Sequence, residues 1–247
     1  MKTAILTDLH ANREAVEAVL AHARAHGAAH WALLGDFVGY GADPGWVVDQ
    51  VRSLVQQGAV AVMGNHDLAV VRGMSNGMQG DAARVVGWTR AQLNPAQLDF
   101  LASLPLTDQR GDQLYVHANA WAPASWGYVL TRADAVRSMQ ATSCRYTFCG
   151  HVHEPRLYHL AGTGKAGEFT PTPGMAIPIP PHRQWLVIAG STGQPRDGNP
   201  DACYAMVDRD AGTLTYHRVP YDVDTAGAKI LAAELPQRLA SRLGEGT

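Results

Sequence analysis

The sequence predicts an α/β fold built on two β-sheets. Three observations carry the prediction. Residues 3–63 alternate apolar runs with amphipathic stretches in the order β-α-β-α-β, the pattern of a parallel sheet covered by helices. Beyond residue 104 the pattern changes to hairpin-like strands, which implies a second, mixed or antiparallel sheet in the same domain. Five of the apolar runs stop abruptly in amide, imidazole and carboxylate residues, and active sites of open α/β sheets lie just past the carboxyl ends of strands.

The elements follow in order. Residues 3–7 form a buried strand. Asn12 caps a helix from Arg13 to His26, with Val16, Val19, Leu20 and Ala23 on one face and Gly27 at its stop. Residues 30–34 are a second strand. Asp43-Pro44 opens a helix with proline at its first position, and Gly58 ends it. Residues 59–63 are a third strand. Residues 68–104 are mainly helical, broken by the Gly-rich piece 73–80 and restarted at Asn94-Pro95. Residues 104–108 and 113–117 make a hairpin around Arg110-Gly111-Asp112. Thr131 to Asp134 is a capping box opening a helix to about Thr142. Strands follow near 146–150, 156–160, 184–190, 203–208 and 213–219. The Gly/Pro-rich residues 162–182 read as a loop, and 224–243 as one terminal helix. No linker or repeat divides the chain, so residues 1–247 are expected to be a single domain.

Bulk composition narrows the function classes. With 46% hydrophobic and 17% charged residues, the 247-residue chain can bury a substantial core and is not disordered. A formal charge of −2 offers no bulk attraction to nucleic acid or an acidic membrane. Cys144, Cys149 and Cys203 are widely spaced and read as buried thiols in a reducing compartment. The apolar start reaches Asp8 and His10 too early for a signal peptide, and no run approaches membrane-spanning length, so a soluble, cytoplasmic protein is expected. Oligomeric state leaves no readable mark.

The candidate ligands are Asp8, His10, Asp36, Asn65, His117, His151 and His153. All are oxygen or imidazole donors and none is a thiolate, which suits Mn, Fe, Co, Ni or Zn better than Mg or Ca alone. Seven donors exceed one tetrahedral site and suit two divalent metals with one bridging carboxylate. Glycines at 35, 64 and 150 allow the chain to turn sharply there. Two divalent ions set against two carboxylates leave a local positive excess, which should attract an anion such as phosphate.

Asp8-Leu9-His10, Gly35-Asp36, Gly64-Asn65-His66-Asp67, Val116-His117 and Gly150-His151-Val152-His153 together resemble the five sequence blocks of the calcineurin-like metallophosphoesterase superfamily, in the right order over residues 8–153. Residues 35–44 and 193–198 further resemble a bacterial branch described as diadenosine-tetraphosphatase-like or YfcE-like. The resemblance implies a four-layer α/β/β/α sandwich with two mixed β-sheets. It implies that Asp8, His10, Asp36 and His153 hold a first metal, and that Asp36, Asn65, His117 and His151 hold a second, with Asp36 bridging. It implies in-line attack on a phosphate mono- or diester, of a small molecule or nucleotide, by a metal-bridging hydroxide. His66 would stay off the metals and donate a proton to the leaving oxygen or stabilise charge in the transition state. The alternative is a non-catalytic member that keeps the fold as a binding or scaffold module.

There is one departure. Phosphoprotein phosphatases of the superfamily carry an Asp three residues after the bridging Asp, followed by Arg. Here Gly39 and Tyr40 stand at those positions, so a protein phosphatase is disfavoured and His66 lacks its usual carboxylate partner. Asp67 is read evenly as an orienting group or a helix cap. Asn12, Tyr40, Trp126, Tyr128, Arg183 and Arg196 are candidates to line the substrate cleft, with Arg196 first because guanidinium suits phosphate. Trp121, Trp126 and Tyr128 either stack a nucleobase or pack against the helix at 131–142, with packing favoured. His22, His26, His30, His159, His182 and His217 have no motif context and receive no role.

Overall fold

The computed structural model describes residues 1–73 and 80–247. Part of the Gly-rich break expected at 73–80 therefore lies outside the described residues. The strands are β1 (Lys2–Leu6), β2 (Ala28–Leu33), β3 (Val60–Ala61), β4 (Thr107–Arg110), β5 (Gln113–Val116), β6 (Tyr146–Cys149), β7 (Pro155–Ala161), β8 (Ala166–Phe169), β9 (Ala176–Pro178), β10 (Arg183–Ala189), β11 (Ala202–Asp208) and β12 (Thr213–Val219). The helices are α1 (Arg13–Ala25), α2 (Pro44–Gln56), α3 (Asn65–Arg72), α4 (Gly80–Gln92), α5 (Pro95–Ser103), α6 (Arg132–Gln140), α7 (Val223–Ala232) and α8 (Gln237–Glu245). No helix among them is long and apolar enough to cross a membrane.

Two six-stranded mixed sheets face each other, ordered β3-β2-β1-β11-β12-β9 and β4-β5-β6-β10-β7-β8. The alternation of side chains along each strand assigns the layers. On β1, Ala4 and Leu6 join the helix-side core with Val16, Val19, Val47 and Val51, while Ile5 points between the sheets. On β10, Trp185, Val187 and Ala189 meet the first sheet, while Leu186 and Ile188 meet Ala135 and Met139 of α6. The result is helix, sheet, sheet, helix, as expected from the sequence. Cys144, Cys149 and Cys203 are buried and unpaired.

Several expectations are corrected. β11 and β12 do not build the second sheet. β11 pairs antiparallel with β1 and carries β12 with it, so the C-terminal strands complete the first sheet. Residues 162–182 are not all loop: β8 pairs with β7, and β9 pairs with β12 in the opposite sheet. Both are short edge strands formed by a partner's free edge and not by a pattern of their own. The single terminal helix is two. Glu234 takes a left-handed φ of 55°, and Pro236 disfavours helix in the residue before it.

Three strands in each sheet run parallel: β1, β2 and β3 in one, β5, β6 and β10 in the other. Their carboxyl ends bring Asp8 and His10, Asp36, Asn65, His117, and His151 and His153 to one rim. β10 adds a sixth end, leading into Ser191 to Arg196.

Candidate metal centre

All four histidines of the centre share one design. The Nδ1 of His10 lies 3.2 Å from the Val38 carbonyl, that of His117 2.7 Å from Leu34 O, and that of His153 2.6 Å from Gln194 O. His151 is reversed: its Nε2 lies 3.0 Å from the Trp126 carbonyl. A carbonyl oxygen can only accept, so each of these nitrogens must carry the proton. In a neutral ring the other nitrogen is then a bare lone pair. These lone pairs face one another: His10 and His153 Nε2 are 3.1 Å apart, and His117 Nε2 is 3.1 Å from His151 Nδ1. Lone pairs aimed together at that distance repel unless a cation lies between them. Hydrogen bonds to the far ring nitrogen are the usual way a metal ligand is oriented.

The carboxylates follow the same rule. Asp8 Oδ2 accepts from the His151 backbone N–H (2.9 Å) and the Thr7 hydroxyl (2.6 Å). Asp8 Oδ1 is buried with no hydrogen-bond partner, 3.3 Å from His153 Nε2. Asp36 Oδ1 accepts from the His66 backbone N–H at 2.8 Å, in the first turn of α3, where a helix N-terminus favours negative charge. Asp36 Oδ2 lies 3.4 Å from His117 Nε2 and 3.9 Å from His10 Nε2, between the two imidazole pairs. Asn65 Oδ1 is 3.1 Å from His117 Nε2. The groupings Asp8-His10-His153 and Asp36-His117-His151 each bring donor atoms within 4.8 Å of one another. An orphaned buried carboxylate oxygen, converging bare nitrogens and the absence of thiolates fit divalent transition metal.

Electrostatics make the same demand. Burial opposes ionisation of Asp36, yet His117, His66 and His10 around it hold its carboxyl well below the usual range. Burial likewise opposes charge on His117, but Asp36 beside it pushes the imidazole up to about 9. Burial and His117 push His151 down to about 3. Positive charge is wanted at the centre, and only one of these two neighbouring rings can supply it by protonation.

The backbone is strained where the ligands sit. Asp8, His10, Asp36, His151 and His153 have φ of 53°, 46°, 52°, 68° and 66°, in the left-handed region that costs a non-glycine residue energy. The expectation that Gly35, Gly64 and Gly150 supply these turns holds only for Gly35. Gly64 and Gly150 are needed for close approach instead: a Cβ on Gly64 would run into Asp36, and one on Gly150 into Thr7 and Asp8. Asn65 is also not in a turn; it is the first residue of α3.

His66 is buried with its Nε2 4.0 Å from Asp36 Oδ2. Its Nδ1 faces Gly39 so closely that a Cβ there would strike it. Among the described residues, no carboxylate stands behind the ring. It is held by packing between Tyr40 (ring centroids 4.6 Å apart) and His10 (5.0 Å). Asp67 points elsewhere: its carboxylate accepts from the backbone N–H groups of Phe37 (2.8 Å), Val38 (3.2 Å) and Gly64 (2.9 Å). It caps α3 and ties down the loop after Asp36.

The candidate substrate contacts separate. Asn12 is buried and turned inward: its Oδ1 caps α1, and its Nδ2 donates to Gly193 O (2.8 Å) and the Tyr221 hydroxyl (3.2 Å). Tyr40 lines the cleft that opens beside His66 and His151. Arg196 donates to Gln194 Oε1 at 3.0 Å and reaches the Tyr40 hydroxyl at 3.5 Å, and its buried Nε has no partner. Trp121 packs against α6 as expected, under the Arg137 guanidinium (4.8 Å). Trp126 and Tyr128 do not; they line the cleft. The carbonyls of Val38, Leu34, Gln194 and Trp126 were not foreseen, because a backbone acceptor leaves no residue-type signal.

Comparison with known proteins agrees with this geometry. Residues 1–212 match the model of the calcineurin-like phosphoesterase superfamily domain. The chain is 32% identical over 245 residues to the uncharacterized protein MJ0912 of Methanocaldococcus jannaschii, covering 97% of this chain and 96% of that one. It is similar to the crystal structure of a metallophosphoesterase from Sphaerobacter thermophilus, with a TM-score of 0.87, 33% identity and full coverage of both chains. It shares its fold with the hypothetical protein PH1004 of Pyrococcus horikoshii OT3, with a TM-score of 0.79 at 17% identity, covering 100% of this chain and 98% of that one. The chain belongs to the calcineurin-like phosphoesterase superfamily.

Proposed function

We propose that this superfamily member is a metal-dependent hydrolase of phosphate mono- or diesters, acting on a small-molecule or nucleotide-like substrate at a dinuclear centre. The observation that carries the reading is the set of four imidazoles, each donating one N–H to a backbone carbonyl and turning its bare nitrogen toward two buried carboxylates. Asp8, His10, His153 and Asp36 would hold one ion, and Asp36, Asn65, His117 and His151 the other. When bound, two such ions supply Lewis acidity toward phosphoryl oxygens and generate a nucleophile from water at neutral pH. Mn, Fe, Co, Ni and Zn all suit the donors.

The protein's own groups do the rest. Asp36, shared between the two clusters, sets their separation. His66, wedged between Tyr40 and His10 with no carboxylate behind it, presents its Nε2 to the leaving oxygen as hydrogen-bond or proton donor. Arg196, steadied by Gln194 and Tyr40, offers a guanidinium to a non-bridging phosphate oxygen. The chain thus dispenses with the Asp-Arg pair of the phosphoprotein phosphatases, placing Gly39 and Tyr40 there.

The test is hydrolysis of p-nitrophenyl phosphate and bis-p-nitrophenyl phosphate by purified protein with Mn, Co, Ni, Zn or Fe added. Activity on at least one ester is expected, absent in Asp36→Asn. Unchanged activity in that variant would remove the assigned centre from the reaction. Inactivity with every metal would favour the non-catalytic reading, a binding module on the same fold.

A further inference from the structure

Whatever ester occupies the centre must place its organic part in the cleft beside it. That cleft, about 830 Å³, is walled by Asn65, His66 and His151 at its inner end. It is large enough for a drug-sized molecule. Its remaining lining is dominated by Met63, Leu68, Leu106, Trp126 and Tyr128, with Arg72 the one Lys or Arg among the described residues. A polyphosphate, nucleic acid or phosphoprotein would need a track of Lys and Arg along this wall. An apolar, aromatic wall selects a different organic group.

The two aromatics are built into place. The Tyr128 ring lies flat on His151, with centroids 4.1 Å apart and planes 17° apart. One face is therefore fixed by a residue of the centre, yet Tyr128 remains 49% exposed. Trp126 has a left-handed φ of 56°, costly for a bulky residue. It is retained there because its carbonyl accepts from His151 Nε2 at 3.0 Å, and its ring sits 5.9 Å from that of His117. Asn119, fully buried, clasps the same loop through Gly127 O (2.7 Å) and the Ala122 N–H (2.9 Å). A rigid, half-exposed ring beside a reaction centre is a preformed stacking platform.

We infer that Trp126 and Tyr128 form an aromatic shelf that receives a planar ring in the organic portion of the phosphate ester, making this chain selective for aromatic over aliphatic esters. The inference rests on the phosphoesterase reading above and adds the substrate class. Two sources supply such a ring, a simple aryl group or a nucleobase.

Binding of non-hydrolysable phosphonates, measured by calorimetry on manganese-supplemented protein, tests it without relying on turnover. Phenylphosphonate is expected to bind about tenfold more tightly than methylphosphonate, a stacking-sized preference. The preference should persist in Tyr128→Phe and shrink to within about twofold in Tyr128→Ala. The methylene phosphonate analogue of AMP binding more tightly than phenylphosphonate would identify the ring as a nucleobase; the reverse order would identify an aryl group. Equal affinity of the wild type for phenyl- and methylphosphonate would overturn the shelf and leave the phosphoesterase reading standing. A preference undiminished in Tyr128→Ala would also overturn it. Failure of every phosphonate to bind, together with inactivity on every ester, would overturn both.

Discussion

The chain gathers histidines in two places, and only one of them is built like a metal centre. At the rim, His10, His117, His151 and His153 are buried, each anchored through one nitrogen to a backbone carbonyl, with Asp8 and Asp36 among them. On the outer face of α1 and β12, His22, His26 and His217 crowd as closely, with ring centroids 4.0, 5.2 and 5.3 Å apart. There the rings stack on one another and on Tyr204, His26 is exposed, and among the described residues no carboxylate enters. The groupings whose donor atoms converge within 4.8 Å, among the described residues, all lie at the rim. Histidine density therefore does not make the site. Buried carboxylates and backbone acceptors that dictate which nitrogen is bare make it.

The comparison can be broken most severely at Asp36. Asp36→Asn should reduce ester hydrolysis to background and lower metal content, read by elemental analysis, because the oxygen between the two clusters loses its charge. His66→Ala should cost about 10²- to 10⁴-fold in kcat, the range for losing a positioned acid, with metal content unchanged. A parallel loss of metal would move His66 from proton donor to ligand.

Chelation separates the two clusters by stability. Ligand at about a thousand times its Kd stabilises a fold by about 4 kcal/mol, or roughly 8–16 °C in Tm for a chain of this size. EDTA should lower the melting temperature on that scale, by the same amount in wild type and in His217→Phe. A smaller shift in the variant would make the outer cluster a metal site as well.

The smallest effect is a pH dependence confined to the outer cluster. Burial, with His22 and His26 beside it, lowers His217 to about 4 from the ordinary 6.5. The unfolded chain then takes up the proton first, so stability is complete above pH 6.5 and is lost as pH falls from 6.5 toward 4. Half-exposure and solvent screening reduce the contribution to about 1–2 kcal/mol. Denaturant unfolding at pH 7.5 and pH 5 should show a smaller loss in His217→Phe than in wild type at saturating metal. Equal losses would mean that the outer cluster does not titrate with folding.

Much of this was legible in the chain. The helices after Asn12, Pro44, Pro95 and Thr131 begin where their caps and prolines place them. The seven donors come to one rim because each follows an apolar run, and those runs are parallel strands. Elements without a pattern of their own were missed. β8 and β9 exist because β7 and β12 offer free edges. β11 joined the first sheet because β1 had an open side, which no local sequence records. The break between α7 and α8 does have a local signal, at Pro236.

At the centre the division has a plain cause. The type of each donor, the absence of thiolates and the Gly39-Tyr40 departure are side-chain facts, and the sequence determined them alone. Which nitrogen of each imidazole is bare, the left-handed backbone at the ligands, the capping role of Asp67 and the placing of Tyr128 on His151 were decided by the tertiary structure. Those depend on carbonyls and N–H groups that every residue carries alike, so only their positions in space distinguish them.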